Sequence, residues 1–314
     1  MSKRHELTAG PGTVHWGYYD NSLDPVMEIQ PNDTVVVHTL FGMPTDMHPD
    51  RTRIPPELTA IHENVERDLG PHFLTGPIYI KGAEPGDVLV VKIRDIRLRL
   101  DWGHNRFMPG KGTLPEIFPK FGSWVIEIDK KNKTAQWIGD IKVPLDRPFF
   151  GNIGVAPLAV RGRVSSRIPN EHGGNLDNKE LVAGSTLYLP VFNPGGLLSI
   201  GDGHAAQGDG EVDGTAVETG LTGEFEISLR KDISLRLPQA EIDSHYITMG
   251  FDPDLDIAAK TALREMLDHM VTAYDLSREE AYSLCTAIVD LRITQTVNGN
   301  KGAHAMLPKA ILDG

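Results

Sequence analysis

Cysteine is almost absent from this chain, with a single residue, Cys285, among 314. One thiol cannot close an intrachain disulfide or build a cysteine-rich metal cluster. Its setting, AYSLCTAIV, is an apolar, helix-like run in which a core thiol is expected rather than a nucleophile. No uninterrupted apolar run comes near the roughly 20 residues that cross a bilayer, and the opening MSKRHELTAGPG has no apolar leader segment. A cytoplasmic protein with no membrane partner is therefore expected. Positive charge is also short, with 31 Lys and Arg against 43 Asp and Glu for a net charge of -12. That balance repels nucleic acid and anionic lipid, so neither is expected as a partner, and a small neutral or cationic ligand is easier to accommodate. The G-x-S-x-G elbow of serine hydrolases is missing, because GLLSIG has Leu197 where the first glycine would stand. The Gly/Ser-rich stretch of serine amidases is missing too.

What the chain does have is 40% hydrophobic residues, enough for a sizeable core. From Met27 to about Ala240 the sequence is a series of short runs rich in β-branched and aromatic residues, such as DTVVVHTL, GPIYIKG, DVLVVKIRDIRLRL, GSWVIEID, STLYLPVF and GEFEISLRL, each bounded by Gly, Pro, Asn or Asp. This predicts a mostly β fold with an antiparallel β-sandwich or barrel-like body. Asp129 to Asn132 reads as a hairpin turn, and Glu84-Pro85-Gly86-Asp87 as a tight turn entering a strand. After Ser244 the pattern changes. In LDIAAKTALREMLDHMVTAY, Ile257, Leu263, Met266, Leu267 and Met270 recur at helical spacing behind an aspartate cap, and Ser277 with Glu280 forms a capping box for a second helix. We expect residues 1–243 to form a β-rich catalytic body and residues 244–314 an appended α/β part packed on it, the two making one structural unit.

The chemistry concentrates in Gly201 to Gly214, GDGHAAQGDGEVDG, where four carboxylates, one imidazole and five glycines share fourteen residues. A dinucleotide site fits poorly, since GDGEVDG cannot open a good helix and its acids would repel a pyrophosphate. A calcium loop starting at Asp209 fails at its twelfth position, Gly220. A solvated turn remains open. The other reading is a divalent-metal or acid/base site. In an extended strand Asp202 and His204 point the same way, Asp209 and Glu211 repeat that spacing, and intervening glycines let the two pairs approach. Imidazole with carboxylates suits Zn²⁺ or a similar cation, which would also relieve the repulsion among the acids.

These residues carry a wider resemblance. GDGHAAQGDGEV, GGNLD at Gly173 to Asp177, AGSTLYLPV at Ala183 to Val191, GPIYIKGAEPGDVLVV at Gly76 to Val91 and REEAYSLCTAIVDLRITQTVNG near the end resemble the acetamidase/formamidase family across nearly the whole chain. The resemblance implies hydrolysis of the C–N bond of short amides, such as formamide and acetamide, to carboxylate and ammonia. It also implies a mostly β sandwich with an added α/β part, a metal in some members, and self-association into a homo-oligomer. On that footing His204, Asp202 and Asp177 are the expected ligands of a divalent metal, Zn²⁺ first, with Ca²⁺ or Mn²⁺ as alternatives. Glu211, with Asp209 beside it, is the expected general base, chosen for its longer reach. Asn175, His172, His72 and His62 are the expected substrate-binding residues. Phe149 and Phe150 fit either a pocket wall or a subunit interface. A non-catalytic metal- or sugar-binding β module, and a metal-assisted hydrolase or lyase of a related small amide, are the rival readings.

Overall fold

Two β-sheets face each other across the main core of the structure, a computed structural model describing residues 2–312. The first has nine strands. In spatial order they are Arg4–Thr8, Asp33–His38, Leu221–Arg230, Val88–Leu98, Thr186–Pro190, Gln239–Glu241, His245–Asp252, Lys301–Pro308 and Asp290–Gln295. All neighbours are antiparallel except the first pair. The second sheet runs Gly173–Asn175, Phe149–Gly154, Leu198–His204, Phe73–Ile80 and Val14–Trp16, with Met27–Ile29 joined in parallel to Phe73–Ile80. Between the sheets, Val91, Ile93, Phe225 and Ile227 of the first meet Phe150, Ile153, Ile200 and Ile78 of the second in one apolar cluster. The architecture is thus the mostly β sandwich read from the alternating runs, and both expected turns form. Asp129 Oδ1 accepts from the Lys131 and Asn132 amides at 3.0 Å, and the Asp87 amide donates to the Glu84 carbonyl at 3.0 Å.

A smaller sheet of Trp102–Phe107, Gly122–Asp129, Thr134–Gln136 and Lys142–Pro144 leans against one end of the sandwich. An N-terminal cluster of Trp16, Leu40, Phe41, Leu58, Ile61, Phe73 and Trp102 fills the gap beside it.

The strands after Ser244 extend the nine-stranded sheet; the helix Leu255–Tyr274 packs on that extension, and a second helix, Arg278–Ile288, packs against the first. Asp254 caps the first through the Asp256 and Ile257 amides, and Ser277 with Glu280 forms the reciprocal box that starts the second. Met266 and Met270 are buried as their spacing requires, whereas Ile257 is 44% exposed because it lies in the first turn, off the packed stripe. Cys285 Sγ lies 3.7 Å from Met270 Sδ in this cluster, and burial raises the thiol's pKa, so it is a packing group. Among the described residues no helix is long and apolar enough to cross a membrane.

Three buried histidines tie stability to pH. Burial lowers the pKa of His15 and of His304 to about 4 and that of His172 to about 3. The unfolded chain protonates these rings near 6.5, so below that pH it binds protons the folded protein refuses. Stability then falls on acidification, on the order of 1.4 kcal/mol per pH unit for each histidine until its folded pKa is reached. Urea unfolding should show this decline between pH 6.5 and 4.5, and His304→Gln should reduce its slope by on the order of 1.4 kcal/mol per pH unit, the share of one such ring. An unchanged slope in that variant would show that the buried rings are not its source.

Candidate active site

The acidic stretch begins as a strand and not as a loop. Leu198–His204 is buried along its whole length in the middle of the six-stranded sheet, and only the residues beyond it turn. Asp202 and His204 therefore do share a face, with His204 Nε2 3.5 Å from Asp202 Oδ1. The strand can lie there because Gly203 has no side chain, since a Cβ would stand 2.5 Å from the Thr219 carbonyl oxygen.

Four carboxylates surround the His204 ring. Asp177, just past Gly173–Asn175, has Oδ1 3.9 Å from His204 Nδ1. Glu218, on the segment bridging His104 and His204, has Oε1 3.3 Å from Nε2. Asp202 and Glu211 complete the set, and two triads, Asp177–His204–Glu211 and Asp202–His204–Glu218, each bring their donor atoms within 4.8 Å of one another. Among the described residues seven that are not glycine have positive φ, and three of them are Asp177 (45°), Asp202 (60°) and Glu211 (45°). Left-handed backbone costs an ordinary residue about 1–3 kcal/mol and tends to gather at functional sites. Its recurrence at three of the four acids marks this point as one where side-chain placement outweighs backbone comfort.

The histidine tautomer follows from its neighbour. Gln207 Nε2 donates to the Asp177 carbonyl at 2.9 Å, which turns Gln207 Oε1 towards His204 Nδ1 at 2.8 Å. Nδ1 therefore carries the proton, and Nε2 points at Glu218 and Asp202 with no hydrogen-bond partner. Bare nitrogen against two carboxylates is repulsive unless a proton or a cation lies between them. Asp177 Oδ1 and Glu211 Oε2 are likewise buried and unpartnered.

The electrostatics show the same excess of negative charge. Burial opposes charge on His204, but Glu218 and Asp202 outweigh it and hold the pKa well above the usual value. Burial is also overcome at Asp202, where His72 and His204 keep the carboxyl well below its ordinary range. Burial pushes Asp177 up to about 7, opposed by His204 and assisted by Asp202. Burial, then the charge of Asp177, raises Glu211 well above the usual glutamate, and burial raises Glu218. A donor set of one imidazole and several desolvated carboxylates, with orphaned atoms converging, fits a divalent cation.

Beside the cluster lies a cavity of about 80 Å³, lined by Asp202, Glu211, Glu218 and His72 and also by Leu40, Phe41 and Met43. Drug-sized ligands occupy roughly 300–1,000 Å³, so this space suits a molecule of a few heavy atoms. Arg106 on its wall is clamped by both oxygens of Asp46 at 2.7 Å. Behind it, Asn152 Nδ2 donates to Asp202 Oδ2 at 3.2 Å and to Asn175 Oδ1, and Asn298 Nδ2 donates to Asp177 Oδ2. Phe149 sets its ring edge-on to His204 at 5.0 Å, while Phe150 packs on Phe225, so both phenylalanines are interior and neither forms a subunit interface.

Of the residues singled out from sequence, Asp177, Asp202, His204 and Glu211 meet here, and Asn175 and His72 line the cavity. His72 Nε2 faces Asp202 Oδ2 at 3.7 Å, with Nδ1 3.0 Å from Ser166 Oγ. Asp209 is not brought in: it is exposed and paired with Lys179 at 3.1 Å. The alternation assumed for Asp209 and Glu211 needs extended backbone, but Gly210 (φ 95°) and Glu211 bend the chain. His62 is also outside the cavity lining, packed between Trp16 and Phe73 with Nε2 3.1 Å from the Gly42 carbonyl. His172 is buried against Tyr19, away from the lining. Glu218, Gln207, Asn152 and Asn298 were missed. Gln207 sits inside the conspicuous stretch, whereas GTAVETG around Glu218 has no motif to mark it.

The sequence model of the acetamidase/formamidase family matches residues 12–161 and 160–314. The chain belongs to this family. The formamidase of Methylophilus methylotrophus is 32% identical over 193 residues, 45% of this chain and 47% of that protein. The chain spans about half the length of the curated relatives it matches. Solved structures match from end to end. A recombinant predicted acetamidase/formamidase from the thermophile Thermoanaerobacter tengcongensis superposes with a TM-score of 0.88 at 27% identity, covering 100% of this chain and 98% of that one. An acetamidase from Bacillus halodurans superposes with a TM-score of 0.85 at 30% identity, covering 98% of each. The family member described here thus shares its whole architecture with proteins named for amide hydrolysis.

Proposed function

We propose that this protein hydrolyses the C–N bond of short aliphatic amides, of the formamide or acetamide type, to carboxylate and ammonia. The observation that carries the reading is the unpartnered Oε2 of Glu211, set against a small cavity beside the His204 cluster. His204 Nε2, Asp202 and Glu218 would hold a divalent ion, Zn²⁺ first by its taste for mixed nitrogen and oxygen donors, with Asp177 as a further ligand and Mn²⁺ or Ca²⁺ as alternatives. Such an ion supplies Lewis-acid polarisation of a carbonyl and a lowered pKa for water. The chain's own residues do the rest. Glu211 takes a proton from the attacking water and returns it to the amide nitrogen as the C–N bond breaks, which balances water and amide against carboxylic acid and ammonia, and the acid then gives its remaining proton to the ammonia to leave carboxylate and ammonium. Gln207 keeps Nε2 of His204 free by occupying Nδ1, and Asn152 and Asn298 hold the orientation of Asp202 and Asp177. Leu40, Phe41 and Met43 limit the length of the acyl group and exclude water.

Ammonia release from a panel of one- to four-carbon amides, with elemental analysis on the same sample, tests this. Turnover should be confined to the shortest amides, and His204→Ala should lose both metal and turnover. A metal-loaded protein that releases no ammonia would favour the rival binding module. We also infer self-association: Phe118 and Trp124 both pack on Phe107 yet stay 49% and 40% exposed. Sedimentation giving only a monomer at micromolar concentration would count against it.

A further inference from the structure

Two arginines line the cavity, and one of them is spent on a protein partner, Arg106 being held by Asp46. Farther out, Arg161 pairs with Glu171, Arg163 with Asp20 and Asp68, and Arg67 Nε donates to the Gly70 carbonyl. Arg167 lines the cavity half-buried, and among the described residues its guanidinium has no hydrogen bond or ion pair. Its backbone is pinned, since its amide donates to Ser165 Oγ at 3.3 Å and the adjacent Ser166 Oγ meets His72 Nδ1 at 3.0 Å. Arg167 therefore stands on the same wall as His72, which faces Asp202.

A guanidinium withdrawn from water without a close counter-ion is costly, and burial lowers its pKa here, as do the nearby charges of Arg106 and Arg67, with Glu211 offsetting them only in part. Such a group is poised for a ligand that brings the missing negative charge. The acids lining the cavity would repel an anion, so a carboxylate formed there needs a fixed cation, and the planar fork of arginine matches its two oxygens.

We infer that Arg167 is the binding residue for a small carboxylate, the acyl product of the amide, gripping it with both guanidinium nitrogens from the cavity wall it shares with His72. The identity of this anion rests on the amidohydrolase reading. The site's affinity for a carboxylate does not.

The test is titration of the metal-loaded protein with sodium acetate, followed calorimetrically, beside its inhibition of ammonia release. Arg167→Met should weaken acetate binding about 10- to 100-fold, the range for losing a charge-assisted hydrogen-bonded pair, with metal content unchanged. Arg167→Gln, close in shape and uncharged, takes its place should the methionine variant lose metal. Acetate affinity equal to that of the parent in the metal-retaining variant overturns the inference and leaves Arg167 as a distant counter-charge to Glu211. The two readings separate cleanly. Arginine-dependent acetate binding without ammonia release defeats the amidohydrolase and keeps the carboxylate site. Ammonia release with acetate affinity indifferent to Arg167 does the reverse.

Discussion

Glu211→Gln is expected to lower ammonia release by about 10²- to 10⁴-fold, the usual worth of a general acid/base, while metal content and the fold stay as they are. Glutamine fills the same volume at a position only 6% exposed, and it removes the carboxylate that would carry the proton. The ion would remain because His204 Nε2, Asp202 and Glu218 form a complete donor triad without Glu211. The competing assignment uses the other triad, in which Glu211 is itself a ligand. Elemental analysis separates them: metal lost together with turnover would make Glu211 a ligand, and turnover retained would remove it from the chemistry.

Gly151→Ala is expected to disable the site without touching any ionisable group. Gly151 lies in Phe149–Gly154, directly beneath the cluster, and an alanine Cβ there would stand 2.6 Å from Asp202 Oδ2, 2.8 Å from His204 Cε1 and closer still to Asp177 Oδ1. The strand cannot yield, because Phe150 and Asn152 on either side are registered with Gly203 and Gly201 of the neighbouring strand. The side chains would have to move instead, dispersing the donors. We expect metal content and turnover to fall at least about a hundredfold, since even 1 Å misplacement can cost that much, and stability to fall by about 1–3 kcal/mol, the usual cost of overpacking. Gly208→Ala is the control. It sits in the same acidic stretch with open space around its Cβ, and should melt and turn over like the parent. Normal metal binding in the Gly151 variant would mean that the acids have room to rearrange.

Local features were readable before any coordinates. The aspartate cap at 254 and the Ser277–Glu280 box involve residues within three positions of one another, so their chemistry is visible in a short string. The same holds for the Asp129 and Glu84 turns, and Asp202 and His204 share the face that strand alternation predicts although Asp202 itself has a φ of 60°. Alternation misled at Asp209 for an equally physical reason, since it presumes an extended chain and Gly210 with Glu211 turns it.

By itself the sequence determined the strand-rich character of the body, the two capped helices, the burial of the lone cysteine and the chemical type of the site, an imidazole among carboxylates. Only the tertiary structure decided which carboxylates surround that imidazole, which nitrogen it offers, that Glu218 joins while Asp209 faces solvent, and that Gly151 makes room for them all. Secondary structure and caps are set by forces acting over a few residues, so they are written along the chain. A desolvated cluster is assembled by packing segments that lie far apart in sequence, and its unpaired atoms exist only once that packing has removed the water.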